Sequence, residues 1–148
     1  MINSRKIDDL DPEVRVVCNL HLLLCRDAGI ELLVTSTWRD IEAQDALYAI
    51  GRTVHLERRT VTKAKGGKSW HNFKAAYDVV PLVGGKPIWN GKDPVWLEVI
   101  RIGKLAGAGH PLEWDLCHFE VRPQVKGIHI NLTTAMTRFK SNGTIFMV

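Results

Sequence analysis

Tyr77-Asp78-Val79-Val80-Pro81-Leu82-Val83-Gly84-Gly85-Lys86-Pro87-Ile88-Trp89 is the stretch that decides the fold class. Residues 77–83 are dominated by aromatic and β-branched side chains and read as a strand. Gly84-Gly85 supplies two residues free to take positive φ, as a tight hairpin turn requires, and residues 86–89 return as a second strand. Neighbouring strands joined this way are antiparallel. The expected class is therefore α+β, a small antiparallel sheet with helices packed on one side.

Working outward, Asp11-Pro12-Glu13 starts a helix: aspartate caps, proline fits the first turn, and glutamate suits its positive end. Gly29 closes it, and Val14, Val17, Leu20, Leu24 and Ala28 form the expected buried stripe. Residues 31–36 follow as a strand, residues 40–50 as a second helix ended by Gly51, and residues 52–67 as a loop. Beyond the hairpin, Asp93-Pro94 starts another helix. Val95, Leu97, Val99, Ile100, Ile102 and Leu105 make it largely buried, and glycines at 103, 107 and 109 end it. Residues 117–122 read as the last clear strand. One domain over residues 1–148 is expected, with its core at about 10–122 and residues 123–148 without an assigned role.

The 148 residues are 45% hydrophobic and 24% charged, a globular composition rather than a disordered one. No apolar run approaches the roughly 18 residues that span a bilayer, so no membrane anchor is expected. The N-terminal Met-Ile-Asn-Ser-Arg-Lys lacks a secretory pattern, which places the product in the cytoplasm. Cys18 and Cys25 lie roughly 10 Å apart along one helix and are expected to be reduced and half-buried. The net charge of +4 is uneven. Arg52, Arg58, Arg59, Lys63, Lys65, Lys68 and Lys74 face one acid, Glu57, in a local patch that suits either an anionic partner or solvent. None of the common nucleic-acid-binding motifs is present, so no nucleic-acid partner is expected.

Two of the six histidines keep unusual company. His71 and Asp78 are seven apart, too far along one helix and on opposite faces of one strand, so they share an ion only if the backbone reverses between them. Asp115 and His118 flank the entry to a strand, where a turn can aim both into one cleft. Two imidazoles and a carboxylate are a known catalytic zinc set, and a further carboxylate can serve as general base. Spacing alone leaves open whether these groups meet.

Several ordered blocks go further. They are Ser36-Thr37-Trp38-Arg39 with Gln44, then residues 48–53 and 62–67, then Ser69-Trp70-His71-Asn72-Phe73 with Ala76 and Asp78. Trp114 with Asp115-Leu116-Cys117-His118-Phe119-Glu120 completes them. Together they resemble the VanY-type zinc D,D-/L,D-peptidases of peptidoglycan, and most of all the single-domain phage endolysins that are L-alanyl-D-glutamate endopeptidases. The resemblance implies a hedgehog/D,D-peptidase-like fold and Zn2+ held by His71, Asp78 and His118. It further implies Asp115 as general base, Arg39 as the group that steadies substrate, and Gln44 as a structural companion. The implied partner is the peptidoglycan stem peptide. The implied protein is a monomer stored in the host cytoplasm until a holin releases it onto the cell wall. A D-alanyl-D-alanine carboxypeptidase and a non-catalytic wall- or nucleic-acid-binding module are the alternatives.

In two places the chain departs from the family pattern. Lys74 stands where the family has glycine, four residues before the aspartate ligand, and a lysine there is strained if the backbone needs positive φ. Trp114 directly precedes Asp115, a shorter interval than usual. Elsewhere the expectations are plain ones. His110 is read as a surface residue, His21 as lying on or beside the buried face of its helix, and His55 as solvated. His129 is a strand or tail residue and Cys117 a small buried side chain. Trp70 and Trp89 are candidates to line a cleft, and Trp96 belongs to the core.

Overall fold

A computed structural model describes residues 1–147. Four helices and a four-stranded sheet dominate it: α1 (Pro12–Asp27), β1 (Glu31–Ser36), α2 (Ile41–Ala49), β2 (Ala76–Val83), β3 (Lys86–Pro87), α3 (Val95–Ala106), β4 (His118–Glu120) and α4 (Leu132–Asn142). A small hairpin, β5 (Gln124–Val125) with β6 (Ile128–His129), precedes α4. All pairings are antiparallel. β2 is the axis, with β1 along one edge and both β3 and β4 sharing the other. The α+β class follows as expected. No helix among the described residues is long and apolar enough to cross a membrane.

Asp11 caps α1 by accepting from the Glu13 amide, with Pro12 in the first turn. Of the expected stripe Val14 is buried and Val17 and Leu24 partly so, but Leu20 and Ala28 are exposed; the buried face is Val14, Cys18, Cys25 and His21, the last as expected. Two small thiols let the helix lie close to the sheet, and both are fully buried rather than half-buried. His21 is tolerated because both ring nitrogens are satisfied. Nε2 donates to the Val99 carbonyl at 2.9 Å, and Nδ1 accepts from the Tyr77 hydroxyl at 2.8 Å.

α3 also turns differently from expectation. Trp96, Val99, Ile102, Gly103 and Ala106 face inward, while Leu97 and Leu105 are exposed. Glu98, Arg101 and Lys104 mark the outward face, and Leu97 and Leu105 flank it and stay exposed although apolar. On the inward face Gly103 permits a close approach: a Cβ there would lie 2.7 Å from a His21 ring carbon and 2.8 Å from one of Phe119.

Residues outside 10–122 are part of the same core. Ile130, Ala135 and Ile145 are buried in it, and Phe139 of α4 meets Phe73 edge-on at 5.7 Å. The Thr144 hydroxyl donates to the Asp11 carboxylate, tying the tail to the cap of α1. At the other end, Ser4 exchanges backbone hydrogen bonds with Trp38 and Thr37.

Candidate active site

Alternation along β2 sorts its side chains. Tyr77 points to the helix face, where it stacks on Phe119 at 5.8 Å and bonds His21. Its neighbour Asp78 therefore points to the opposite face. β4 pairs Asp78 with His118 and Tyr77 with Phe119, so His118 and Glu120 share the Asp78 face. A bulge in β1 between Val34 and Ser36 brings Ser36, not Thr35, opposite Asp78.

His71 arrives from a 3-10 turn, Trp70–Phe73. The Ser69 side chain caps it, and Asn72 accepts from the Ser69 and Gly67 amides while donating to the Arg39 carbonyl. Lys74 ends the turn in the left-handed region at φ 59°, which reverses the chain between His71 and Asp78. This is the backbone reversal those two residues need. It explains why glycine suits the position, and lysine there carries the strain. The Lys74 ammonium lies 4.3 Å from the Trp38 ring centre, a favourable cation–π distance.

One ligand-type atom from each of His71, Asp78 and His118 lies within 4.8 Å of the others. His71 Nδ1 donates to the Thr37 carbonyl at 2.8 Å, leaving Nε2 to face Asp78 Oδ1 at 3.2 Å. His118 Nε2 donates to Glu120 Oε1 at 2.8 Å, leaving Nδ1 to face the same oxygen at 3.4 Å. Ligands about 2.0–2.1 Å from a tetrahedral ion stand roughly 3.3 Å apart, so these two separations fit a shared ion. Each imidazole also donates its other N–H to an oxygen, the arrangement that orients histidine ligands. The residues present fit zinc.

Burial opposes ionisation of Asp78, but the charge of His71 and hydrogen bonds from both histidines outweigh it and hold the carboxyl well below the usual range. Burial likewise opposes a charged His118, yet bonds to Asp78 and Glu120 prevail and raise its pKa to about 9. Metal binding at such a site displaces protons.

Arg39 and Asp115 line the same cleft, which has a volume of about 790 Å3. The Arg39 amide bonds the His71 carbonyl at 3.1 Å. Its guanidinium donates to Gln44 Oε1 at 2.9 Å and to Ser36 Oγ at 3.0 Å. Burial is the main influence on this group and lowers its pKa, opposed by the charges of Asp78 and Asp115. Gln44 is fully buried and also donates to the Ala64 carbonyl at 2.8 Å, so it anchors both the arginine and the loop beyond it. Asp115 begins the turn into β4, its carbonyl accepting from the His118 amide. Cys117, expected to be simply a buried side chain, is half-buried and donates its thiol to Asp115 Oδ1 at 3.0 Å.

Trp70 and Trp114 line the cleft, whereas Trp89 is 60% exposed and does not. His110 is half-buried rather than on the surface; it bonds the Leu116 carbonyl and packs on Phe119. His55 and His129 are exposed. Glu120 was given no role from sequence, yet it is 3% exposed and accepts from both His118 and Arg122. The signal was available, because His118 and Glu120 two apart on a strand must share a face.

No model of a known protein family matches the chain. The chain is 34% identical over 128 residues to the peptidoglycan L-alanyl-D-glutamate endopeptidase CwlK of Bacillus subtilis (strain 168), covering 78% of this chain and 75% of that protein. Among solved structures it is similar to the L-Ala D-Glu endopeptidase ChiX of Serratia marcescens, with a TM-score of 0.54 at 18% identity over 78% of this chain and 82% of that one. It is also similar to the LD-carboxypeptidase LdcB, with a TM-score of 0.55 at 16% identity over 96% and 77%. These two share its fold. Taken with the relationship to CwlK, the ordered sequence blocks and the shared fold mean that the chain belongs to the VanY-type zinc D,D-/L,D-peptidase family.

Proposed function

We propose that this protein is a zinc-dependent peptidoglycan peptidase that cuts the L-alanyl-D-glutamate bond of the stem peptide. One observation carries the reading: His71, Asp78 and His118 converge in a cleft that Arg39 and Asp115 also line, in a relative of a peptidoglycan endopeptidase. Zinc held there would act as a Lewis acid on the scissile carbonyl and lower the pKa of water to about 7. Asp115 Oδ1 is engaged by Cys117, which leaves Oδ2 to take the proton of the attacking water and pass it to the leaving amine. Arg39, fixed by Gln44 and Ser36, opposes the negative charge that develops on the carbonyl oxygen. Glu120 and the Thr37 carbonyl hold the two imidazoles in the orientation that binding requires.

The resemblance to single-domain phage enzymes supports a further reading as a phage or prophage endolysin. In that role a monomer waits in the host cytoplasm and reaches the wall through a holin lesion. The enzymatic reading is tested by digesting purified peptidoglycan and identifying the new ends by mass spectrometry, with and without chelator. New N-terminal D-glutamate, lost with chelator and restored by zinc, is expected. Release of terminal D-alanine alone would make the enzyme a carboxypeptidase, and digestion unaffected by metal removal would overturn the zinc mechanism.

A further inference from the structure

The basic loop does not simply dissolve into solvent. Lys63 and Lys68 line the same cleft as the histidine cluster. The chain on either side of Lys63 is pinned: Gln44 donates to the Thr62 hydroxyl and the Ala64 carbonyl, and Asp45 accepts from the Gly66 amide. The Lys63 ammonium lies 5.2 Å from the ring centre of Trp114, an indole that is 70% exposed and lines the same cleft. Among the described residues neither lysine joins an ion pair. Among the cleft's acids, Asp78 pairs with the histidines and Glu120 with His118 and Arg122, while Asp115 accepts the Cys117 thiol on Oδ1 and pairs with neither lysine. Two cations at a peptide-sized cleft, one of them held against an indole, thus have no ion-pair partner among the described residues.

The peptide supplies one. An L-alanyl-D-glutamate bond uses the amine of glutamate, so that residue brings two carboxyl groups. The onward chain consumes at most one of them, and the other remains a free carboxylate or, when amidated, a neutral carboxamide.

We propose that Lys63 and Lys68 form a subsite for a free carboxylate of the stem peptide, so that the enzyme selects carboxylate over carboxamide substrates. This rests on the peptidase reading above. The pinned loop sets where the charge sits, and the Trp114 face keeps the Lys63 head at the lip instead of in bulk water. Both side chains are exposed, so replacing them leaves the core untouched.

The test uses L-alanyl-γ-D-glutamyl-L-lysine peptides in three forms: free, amidated at the glutamate α-carboxyl, and amidated at the C-terminus. Wild-type enzyme is expected to cut the free form best. Lys63→Gln and Lys68→Gln should each lower kcat/KM on it about two- to fivefold through KM, the range of a solvent-exposed ion pair, and the double variant about tenfold. Amidation at the recognised carboxyl should erase the difference between variant and wild type, and which of the two amidations does so identifies the carboxylate. Equal losses on all three forms, or none on the free form, would overturn the subsite. Titration calorimetry with ketomethylene isosteres of the same peptides reads the preference without turnover. Failure of wild-type cleavage would then count against the peptidase reading, while the binding comparison still decides the subsite.

Discussion

Glu120→Gln should weaken zinc binding without unfolding the protein. Glu120 is 3% exposed, and its two oxygens are divided between His118 Nε2, at 2.8 Å, and the Arg122 guanidinium. Both partners are donors, so a carboxylate satisfies them and a carboxamide cannot. If the new amide keeps its oxygen toward His118, its NH2 faces the guanidinium, donor against donor. If it flips, the NH2 faces His118 Nε2 and favours the tautomer with the proton on Nδ1, the atom that faces Asp78. The first outcome leaves a neutral amide in place of the carboxylate that raises the basicity of His118, and the second puts a proton on the nitrogen that would bind the ion. Loss of such an orienting partner typically costs 10- to 100-fold in metal affinity, about 1.4 to 2.7 kcal/mol. Competition against a chromophoric chelator measures it, with circular dichroism to confirm the fold. Arg122→Gln removes the other partner and leaves the bond to His118, so its zinc affinity should move much less. Unchanged affinity in Glu120→Gln, or an equal loss in Arg122→Gln, would refute this account of Glu120.

Two further expectations probe the other groups. Asp115→Asn should keep its zinc and its affinity for peptidoglycan while turnover falls roughly 10²–10⁴-fold, whereas Asp78→Asn should lose zinc together with activity; the reverse pattern in paired metal analysis and wall-lysis assays would mean that the two roles are exchanged. His21 should set part of the acid limit of stability. Burial, the larger influence, lowers its pKa from 6.5 against the Val99 hydrogen bond, so the unfolded chain takes up a proton that the folded chain refuses. Its contribution is full above 6.5 and declines as the pH falls below that value, so His21→Gln should flatten the drop in urea midpoint between about pH 7.5 and about pH 5.5; an equal drop in variant and wild type would sink the assignment.

The sequence disclosed the elements whose signals are local. Asp11-Pro12 and Asn131 mark helix starts by their own side chains, and Gly84-Gly85 marks the hairpin, although only the first and last of these could be recognised without the fold. The tail stayed obscure because its apolar positions, Ile130, Ala135, Phe139 and Ile145, are sparse and acquire meaning only against Phe73 and the core. Helix orientation is only partly legible for a related reason. Leu20, Leu97 and Leu105 are apolar but exposed, while His21 is polar and buried. Burial of His21 is decided by the Tyr77 hydroxyl and the Val99 carbonyl, 56 and 78 residues away, which no window along the chain contains. The candidate site was legible from ordered blocks spread over half the chain. The turn at Lys74 that joins His71 to Asp78 is legible only through the family glycine it replaces and the reversal the two ligands need, since lysine alone gives no hint of the left-handed backbone it adopts.

That turn and the strand after it show why fold and site cannot be altered independently. On β2 and β4, Tyr77 and Phe119 pack with His21 on one face, while Asp78, His118 and Glu120 stand on the other. Alternation makes the two sets inseparable: a slip of one residue in the β2–β4 register would place ligand-type side chains in the apolar layer and aromatic rings in the cleft. Three residue pairs set the register, and the His21–Tyr77 bond and the ring stacking on the helix side add to it. Burial of the rings thus helps fix the phase of the two strands, and that phase turns Asp78 and His118 toward the cleft, where the Lys74 turn brings His71 to meet them. The histidine in the core of α1 thus bears on the placement of Asp78 and His118 through Tyr77 and Phe119, the residues beside them on β2 and β4.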